Sequence, residues 1–297
     1  MIVAPVEPQG VTGDSIFVLG DEFFTAVRER DLIGRTMHAI EYDDIHDEIV
    51  VTGPLTQSIL TFRGGADGEE PPIRVIQGPK TQIIGSDYAA NDRLAIDPVH
   101  DEIMMPVSSN SILVFPRLGN GDIAPLRVIH GPDTELQFDG RGGFPVATDP
   151  MHNLIIAGRS ARGNLVVNGK SMDAERGGGN PERGGGSQRF GALLIFDRTA
   201  DGNVKPRAVI TGPKAAVGGS GQIQVYNGHI VATSGQSIGV WSINDNGDIP
   251  PRWKIALPVD GFTPRPRGLA LNPKYKEVYI PDNGLNCIVT YYFPEIF

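Results

Sequence analysis

The sequence predicts an all-β fold assembled from repeated four-strand units, and three recurring phrases predict it. An Asx-turn-His phrase between two apolar runs recurs along the chain, a second apolar phrase follows each copy, and a turn with Asx-Gly and a nearby proline follows that. Composition agrees: Gly 38 and Pro 24 are above ordinary usage, which beside β-branched runs implies short elements separated by turns rather than long helices.

The first phrase runs Asp43-Asp44-Ile45-His46-Asp47-Glu48-Ile49-Val50-Val51, then Asp97-Pro98-Val99-His100-Asp101-Glu102-Ile103-Met104-Met105, then Asp149-Pro150-Met151-His152-Asn153-Leu154-Ile155-Ile156. A degenerate copy starts at Asn272-Pro273, and Asn227-Gly228 makes a shorter turn between Gln224-Val225-Tyr226 and Ile230-Val231-Ala232. Apolar run, Asx turn and apolar run together read as a tight hairpin, the first two strands of each unit. Ile59-Leu60-Thr61-Phe62, Ile112-Leu113-Val114-Phe115, Leu193-Leu194-Ile195-Phe196, Gly239-Val240-Trp241-Ser242 and Ile288-Val289-Thr290-Tyr291 supply third strands. Then come the turns at Asp67-Gly68, Asn120-Gly121, Asp201-Gly202 and Asn246-Gly247, with Pro72, Pro125, Pro206 and Pro251 ahead of a fourth strand. Proline there marks a sheet edge, where a missing N–H costs no ladder bond.

From Gly78 to Gly131 the period is 131 − 78 = 53 residues, and four antiparallel strands per period match a propeller blade better than a solenoid turn. A lone blade cannot bury both faces, and radial stacking does this for it. Five units begin near His38, Arg93, Pro145, Gly221 and Arg267, and Asp14–Leu19 with Phe23–Val27 read as strands of a sixth. The last unit stops after its third strand, at Tyr291-Tyr292-Phe293. The expectation is a single domain over 1–297: a six-bladed β-propeller of four-stranded antiparallel blades, its ring closed by N-terminal strand material, with five blades or an irregular closure as the alternative.

The charge is −9, from Lys+Arg 26 against Asp+Glu 35, which disfavours a phosphate backbone and argues against nucleic acid as partner. With a single cysteine, Cys287, no intramolecular disulfide is available. Its place in an apolar strand phrase suggests a buried small hydrophobe rather than a nucleophile. No stretch is apolar enough to span a bilayer, and the opening Met1-Ile2-Val3-Ala4-Pro5 lacks the basic start of an export signal. A soluble chain is expected, cytoplasmic, or periplasmic or secreted if a signal was trimmed.

The final unit, Pro266-Arg267-Gly268-Leu269-Ala270-Leu271-Asn272-Pro273 through Val278-Tyr279-Ile280-Pro281-Asp282-Asn283-Gly284-Leu285-Asn286-Cys287-Ile288-Val289, resembles the NHL repeat of six-bladed propellers. The other units share the plan without the motif. The resemblance implies a superfamily holding both protein-binding scaffolds and metal-dependent lactonase-like hydrolases, with ligands at the mouth of a central channel. By that analogy Asp21, Asp92, Asn110, Arg267, Asp282 and Asn283 are candidate ligand-binding residues, and Asp282 with Asn283 a candidate calcium or zinc site, although no cofactor is required. The same residue types in turns more commonly cap their own backbone.

His46, His100 and His152 invite a three-histidine zinc site. The repeat argues against it, because each occupies the same turn of a different unit. Gly235-Gln236-Ser237-Ile238-Gly239 matches a nucleophile-elbow pattern, but that device needs a strand leading into a helix, and here the serine lies between two strands. Residues 159–190 break the period: 212 − 131 = 81, which is 28 more than 53. This Gly/Arg-rich insertion carries Arg162, Lys170, Arg176, Arg183 and Arg189, a candidate partner-binding loop. A non-enzymatic binding scaffold, for a protein or a small ligand, is the leading expectation. The alternatives are a metal-dependent lactonase or esterase, and a structural subunit of a larger assembly.

Overall fold

Each copy of the repeat folds into an antiparallel sheet in the computed structural model, which describes residues 39–53, 56–67, 70–83, 93–137, 144–160, 165–167, 170–172, 190–218, 221–234, 237–256, 268–282 and 287–297. The first sheet holds β1 (Ile40–Asp43), β2 (Glu48–Gly53), β3 (Ser58–Arg63) and β4 (Arg74–Gln77) in sequence order. The second holds β5 (Ala95–Asp97), β6 (Glu102–Val107), β7 (Ser111–Pro116) and β8 (Arg127–Ile129). In the third, β9 (Val146–Asp149) and β10 (Leu154–Arg159) precede a separate hairpin, β11 (Leu165–Val167) with β12 (Lys170–Met172), and β13 (Ala192–Asp197) and β14 (Ala208–Thr211) complete the sheet. The fourth comprises β15 (Ile223–Tyr226), β16 (His229–Ser234), β17 (Ser237–Ser242) and β18 (Trp253–Ala256). The fifth has three strands, β19 (Ala270–Asn272), β20 (Glu277–Asp282) and β21 (Cys287–Tyr292).

These are the antiparallel sheets of a β-propeller, the first four of them four-stranded. Five are present among the described residues, not six. Asp14–Leu19 and Phe23–Val27, expected to build the sixth, lie outside the described residues, as does any strand that would close a ring. The chain divides into two compact units, Met1–Ser109 with Leu113–Leu126, and Asn110–Ile112 with Arg127–Phe297. Among the described residues no helix is long and apolar enough to cross a membrane.

The Asx-Gly turns do more than reverse the chain. Those at Asn120-Gly121, Asp201-Gly202 and Asn246-Gly247 each reach back to the fourth strand of the preceding sheet and latch it. Val75 N–H donates to Asn120 Oδ1 (2.9 Å), Gly121 N–H to Val75 O (2.6 Å), Gln77 N–H to Gly121 O (3.2 Å) and Lys80 N–H to Asp122 Oδ1 (2.7 Å). The second latch repeats this with Val128 and Asp201 (2.9 Å), Gly202 and Val128 (2.8 Å), His130 and Gly202 (3.1 Å), and Asp133 and Asn203 (2.9 Å). In the third, Val209 and Asn246 (2.9 Å), Gly247 and Val209 (2.7 Å), Thr211 and Gly247 (3.1 Å), and Lys214 and Asp248 (2.8 Å) take the same places. An outer strand would otherwise present unpaired N–H and C=O groups, the edge that promotes aggregation.

The latch explains the Gly-Pro phrase behind β4, β8 and β14. Gly131 has φ +106, and a Cβ there would stand 2.5 Å from Asn203 Oδ1; Gly78 and Gly212 meet Asp122 and Asp248 in the same way. Only glycine adopts that backbone and leaves that room. The prolines behave as expected too, each two residues ahead of its strand, so that the next residue donates its N–H back to the third strand. Ile73 bonds Thr61 O (2.8 Å), Leu126 Val114 O (2.7 Å), Arg207 Ile195 O (2.8 Å) and Arg252 Val240 O (2.7 Å).

Successive strand residues point to opposite faces, so a sheet packed on both sides must be apolar throughout. In the fourth sheet Ile230, Ala232 and Trp241 join Ile156, Leu193, Ile195 and Ile210 of the third. The intervening Val231, Ile238 and Val240 join Leu269, Val278 and Ile280 of the fifth. Each fully buried Ile or Leu contributes about 2 kcal/mol by removal from water. Among the described residues the fifth sheet is packed on one face. Val278 and Ile280 are buried, while Ile288 and Tyr292 are 68% and 71% exposed.

Candidate functional site

The Asx-turn-His phrases fold into rigid locks at the tips of the first hairpins. Asp43 Oδ1 accepts the N–H groups of Ile45 (3.1 Å) and His46 (2.9 Å), and its Oδ2 pairs with His46 Nδ1 at 2.8 Å. Asp97 does the same for Val99 (3.1 Å), His100 (3.0 Å) and the His100 ring (2.8 Å). Asp149 takes His152 N–H (3.2 Å) and the His152 ring (2.8 Å). A carboxylate only accepts, so Nδ1 is the donor in all three pairs. All three aspartates are buried, and the last turn residue is left-handed in each: Asp47, Asp101 and Asn153 at φ 54, 55 and 55.

That last residue also anchors the third strand. Its carbonyl accepts an N–H from the residue beyond that strand: Gly64 to Asp47 O (2.6 Å), Arg117 to Asp101 O (2.8 Å), Arg198 to Asn153 O (2.8 Å), Ile243 to Gly228 O (3.1 Å) and Phe293 to Lys276 O (2.8 Å). The histidines are therefore engaged with their own turns. Among the described residues no three His, Cys, Asp or Glu side chains are grouped as a metal ion requires.

A charged network joins the first two sheets. Glu48 Oε2 accepts from Arg74 Nη2 (2.5 Å) and Arg117 Nη1 (2.8 Å), Arg117 Nε donates to Asp101 Oδ1 (2.6 Å), and Arg74 Nε to the Arg117 carbonyl (3.2 Å). His46 Nε2 lies 3.7 Å from Asp101 Oδ1. Burial pushes the Glu48 carboxyl up, but the hydrogen bonds from Arg74 and Arg117 outweigh it and hold the group below its ordinary value. The Arg117 hydrogen bond lowers Asp101 as well. Burial works against the Arg117 cation, and Asp101 and Glu48 overcome it to raise its pKa. The network was not singled out in the sequence, though a signal exists. Glutamate opens the second strand at Glu48 and Glu102, and arginine precedes the Val-Ile of the fourth strand at Arg74 and Arg127.

Of the expected ligand-binding residues, Asp21, Asp92, Arg267 and Asn283 lie outside the described residues. Asn110 holds the left-handed position (φ 58) of the turn between β6 and β7, the backbone role that Asx residues commonly play. Asp282 is buried at the end of β20, opposite Cys287. In the insertion, Arg162, Arg176, Arg183 and Arg189 lie outside the described residues, and Lys170 opens β12. Part of the expected loop is thus a hairpin, and Asn168-Gly169 between Leu165-Val166-Val167 and Lys170-Ser171-Met172 is the sequence signal for it.

Ser237 opens β17 and pairs with Ser234 and Ala256, in strands on both sides and with no helix behind it, so the elbow pattern is a coincidence of turn residues. Cys287 is exposed, contrary to the buried position expected of it. The fifth sheet has no fourth strand among the described residues, which leaves β21 at an edge. No family model matches this chain, and no curated protein matches it.

Proposed function

We propose that this chain is a non-enzymatic interaction scaffold, a rigid propeller that presents loop surfaces to a partner. The observation that supports it most is the use made of the polar residues. Aspartates lock hairpin tips, Asx-Gly turns latch sheets, and the buried Arg117 with the half-buried Arg74 neutralises carboxylates; these are the means of holding exposed loops still. Pre-organised loops bind at lower entropic cost than mobile ones.

The finer features belong to the same reading. Residues 14–27 complete a sixth blade and N-terminal strand material closes the ring, as the strand-like phrases there suggest. The basic insertion at 159–190 is a recognition element for an acidic partner, with Arg176 and Arg183 central to it. The NHL-like motif of the last unit supports this architecture and leaves a lactonase-like hydrolase as the competing function.

A metal analysis of the purified protein together with a lactone-hydrolysis assay tests the proposal. Expected is no turnover above that of an Asp282→Ala variant. Stoichiometric calcium or zinc with hydrolysis lost in Asp282→Ala would replace the scaffold with the hydrolase.

A further inference from the structure

The three locked turns share a feature that their fold does not require. The residue two places after the turn's opening aspartate is apolar and exposed in each: Ile45 at 58%, Val99 at 61% and Met151 at 82%. A solvent-facing turn position tolerates any polar residue, so an apolar one at the same place in all three turns is not required by exposure. The residues around them are held by a buried aspartate that binds backbone and histidine together. An exposed apolar side chain on so rigid a support loses little further freedom on binding, which suits it to an interface.

In the first unit two such turns stand side by side, as the 3.7 Å approach of His46 to Asp101 shows. Their surroundings are acidic. Asp44, Asp47 and Asp101 are exposed, and Asp47 also accepts from the exposed Tyr42 hydroxyl (2.8 Å). Of the cations nearby, Arg117 is buried and shared between Asp101 and Glu48, and Arg63, which feels the Asp47 charge, is already held by both carboxylate oxygens of Glu70. Two apolar knobs rimmed by carboxylates are complementary to a chain carrying lysine or arginine between large apolar side chains. They are a poor match for an acidic segment or a phosphate.

We propose that Ile45 and Val99, with Asp44 and Asp47, form a docking surface for a basic, apolar segment of a partner protein. Met151 carries the same device on its own sheet. The surface rests on the scaffold reading and adds to it a second recognition element, opposite in charge to the insertion.

Methyl NMR of the full-length protein tests the surface. The probes are short synthetic peptides in which lysine alternates with leucine, with glutamate-leucine and lysine-serine counterparts. Only the lysine-leucine peptide is expected to shift the Ile45 and Val99 methyls saturably. The Ile45→Ser/Val99→Ser double variant is expected to weaken it about tenfold, from two lost apolar contacts. Ile45→Leu/Val99→Ile should retain the affinity, and because the sites are exposed, the unfolding midpoint of both variants should match the parent. No shift at these methyls, shifts only elsewhere, or equal binding of either counterpart peptide would overturn the proposal. Silent methyls in a protein whose insertion still binds a glutamate-rich peptide would remove this surface and leave the scaffold standing. Metal-dependent lactone hydrolysis would instead remove the scaffold.

Discussion

Gly131 and Gly121 are both glycines with positive φ, and they serve different needs. At Gly121 (φ +78) a Cβ would meet nothing within 4 Å, whereas at Gly131 (φ +106) it would meet Asn203 at 2.5 Å. Gly121→Ala is expected to cost about 1 kcal/mol from backbone strain alone, and Gly131→Ala about 2 kcal/mol or more because the latch must also shift. Chemical denaturation of the two variants measures the difference, and equal losses would mean that close approach contributes nothing. Glu48 stands at a similar focal point. Glu48→Ala leaves the buried Arg117 and the half-buried Arg74 short of a counter-charge, with an expected loss of about 3 kcal/mol in the same measurement. Cys287, exposed at the edge of β21, should be alkylated in the native protein as fast as a free thiol, and protection until unfolding would show the edge to be covered. Much at this scale was legible in the sequence: the Asx turns, the strand-opening prolines and the spacing of the histidines. Arg117 was not, because its partners Glu48 and Asp101 lie far along the chain or beyond a hairpin, and pairing of that kind leaves no local pattern. The exposure of Cys287 was missed because its apolar neighbours Ile288 and Val289 read as a buried strand, whereas an uncovered sheet uses the same residues.

Among the elements, the hairpins carry the stability that depends on pH. Glu48 and Asp101 have carboxyls held below their ordinary values of 4.5 and 3.8. The unfolded chain therefore takes up protons at a higher pH than the folded one, and the stabilisation is present above the ordinary carboxylate range and lost as pH falls through it. Thermal unfolding should move to lower temperature as pH drops below about 4.5, and Glu48→Gln should flatten that dependence; an unchanged slope would show the network to be neutral in sum. The element order, the four strands of the first four sheets and the three described strands of the fifth followed from apolar phrases and turn residues. The β11–β12 hairpin was obscured because a glycine-rich and charged surrounding outweighed a five-residue hairpin signal, Val166-Val167-Asn168-Gly169-Lys170.

For the molecule as a whole, repetition decided what could be read. A residue type that returns at the same place in each unit, such as Asp43, Asp97 and Asp149, has a role set by the unit, and the structure gives that role as a turn lock. The candidate channel-mouth residues do not recur in this way, so their function rests on how separate units come together, which no phrase within one unit encodes. The number of units was harder to read than their kind, because the terminal copies depart from the pattern by which copies are counted. The central claim is that the outer strands β4, β8 and β14 are each latched by the turn of the following sheet. Native-state hydrogen exchange at Val75, Val128 and Val209 reads it most directly, since each of these amides donates to an Asx side chain across the latch. Exchange as slow as in β3, β7 and β13, accelerated at Val128 by Asp201→Ala, is the expected result. Exchange at the rate of an exposed edge, indifferent to that substitution, would contradict the account.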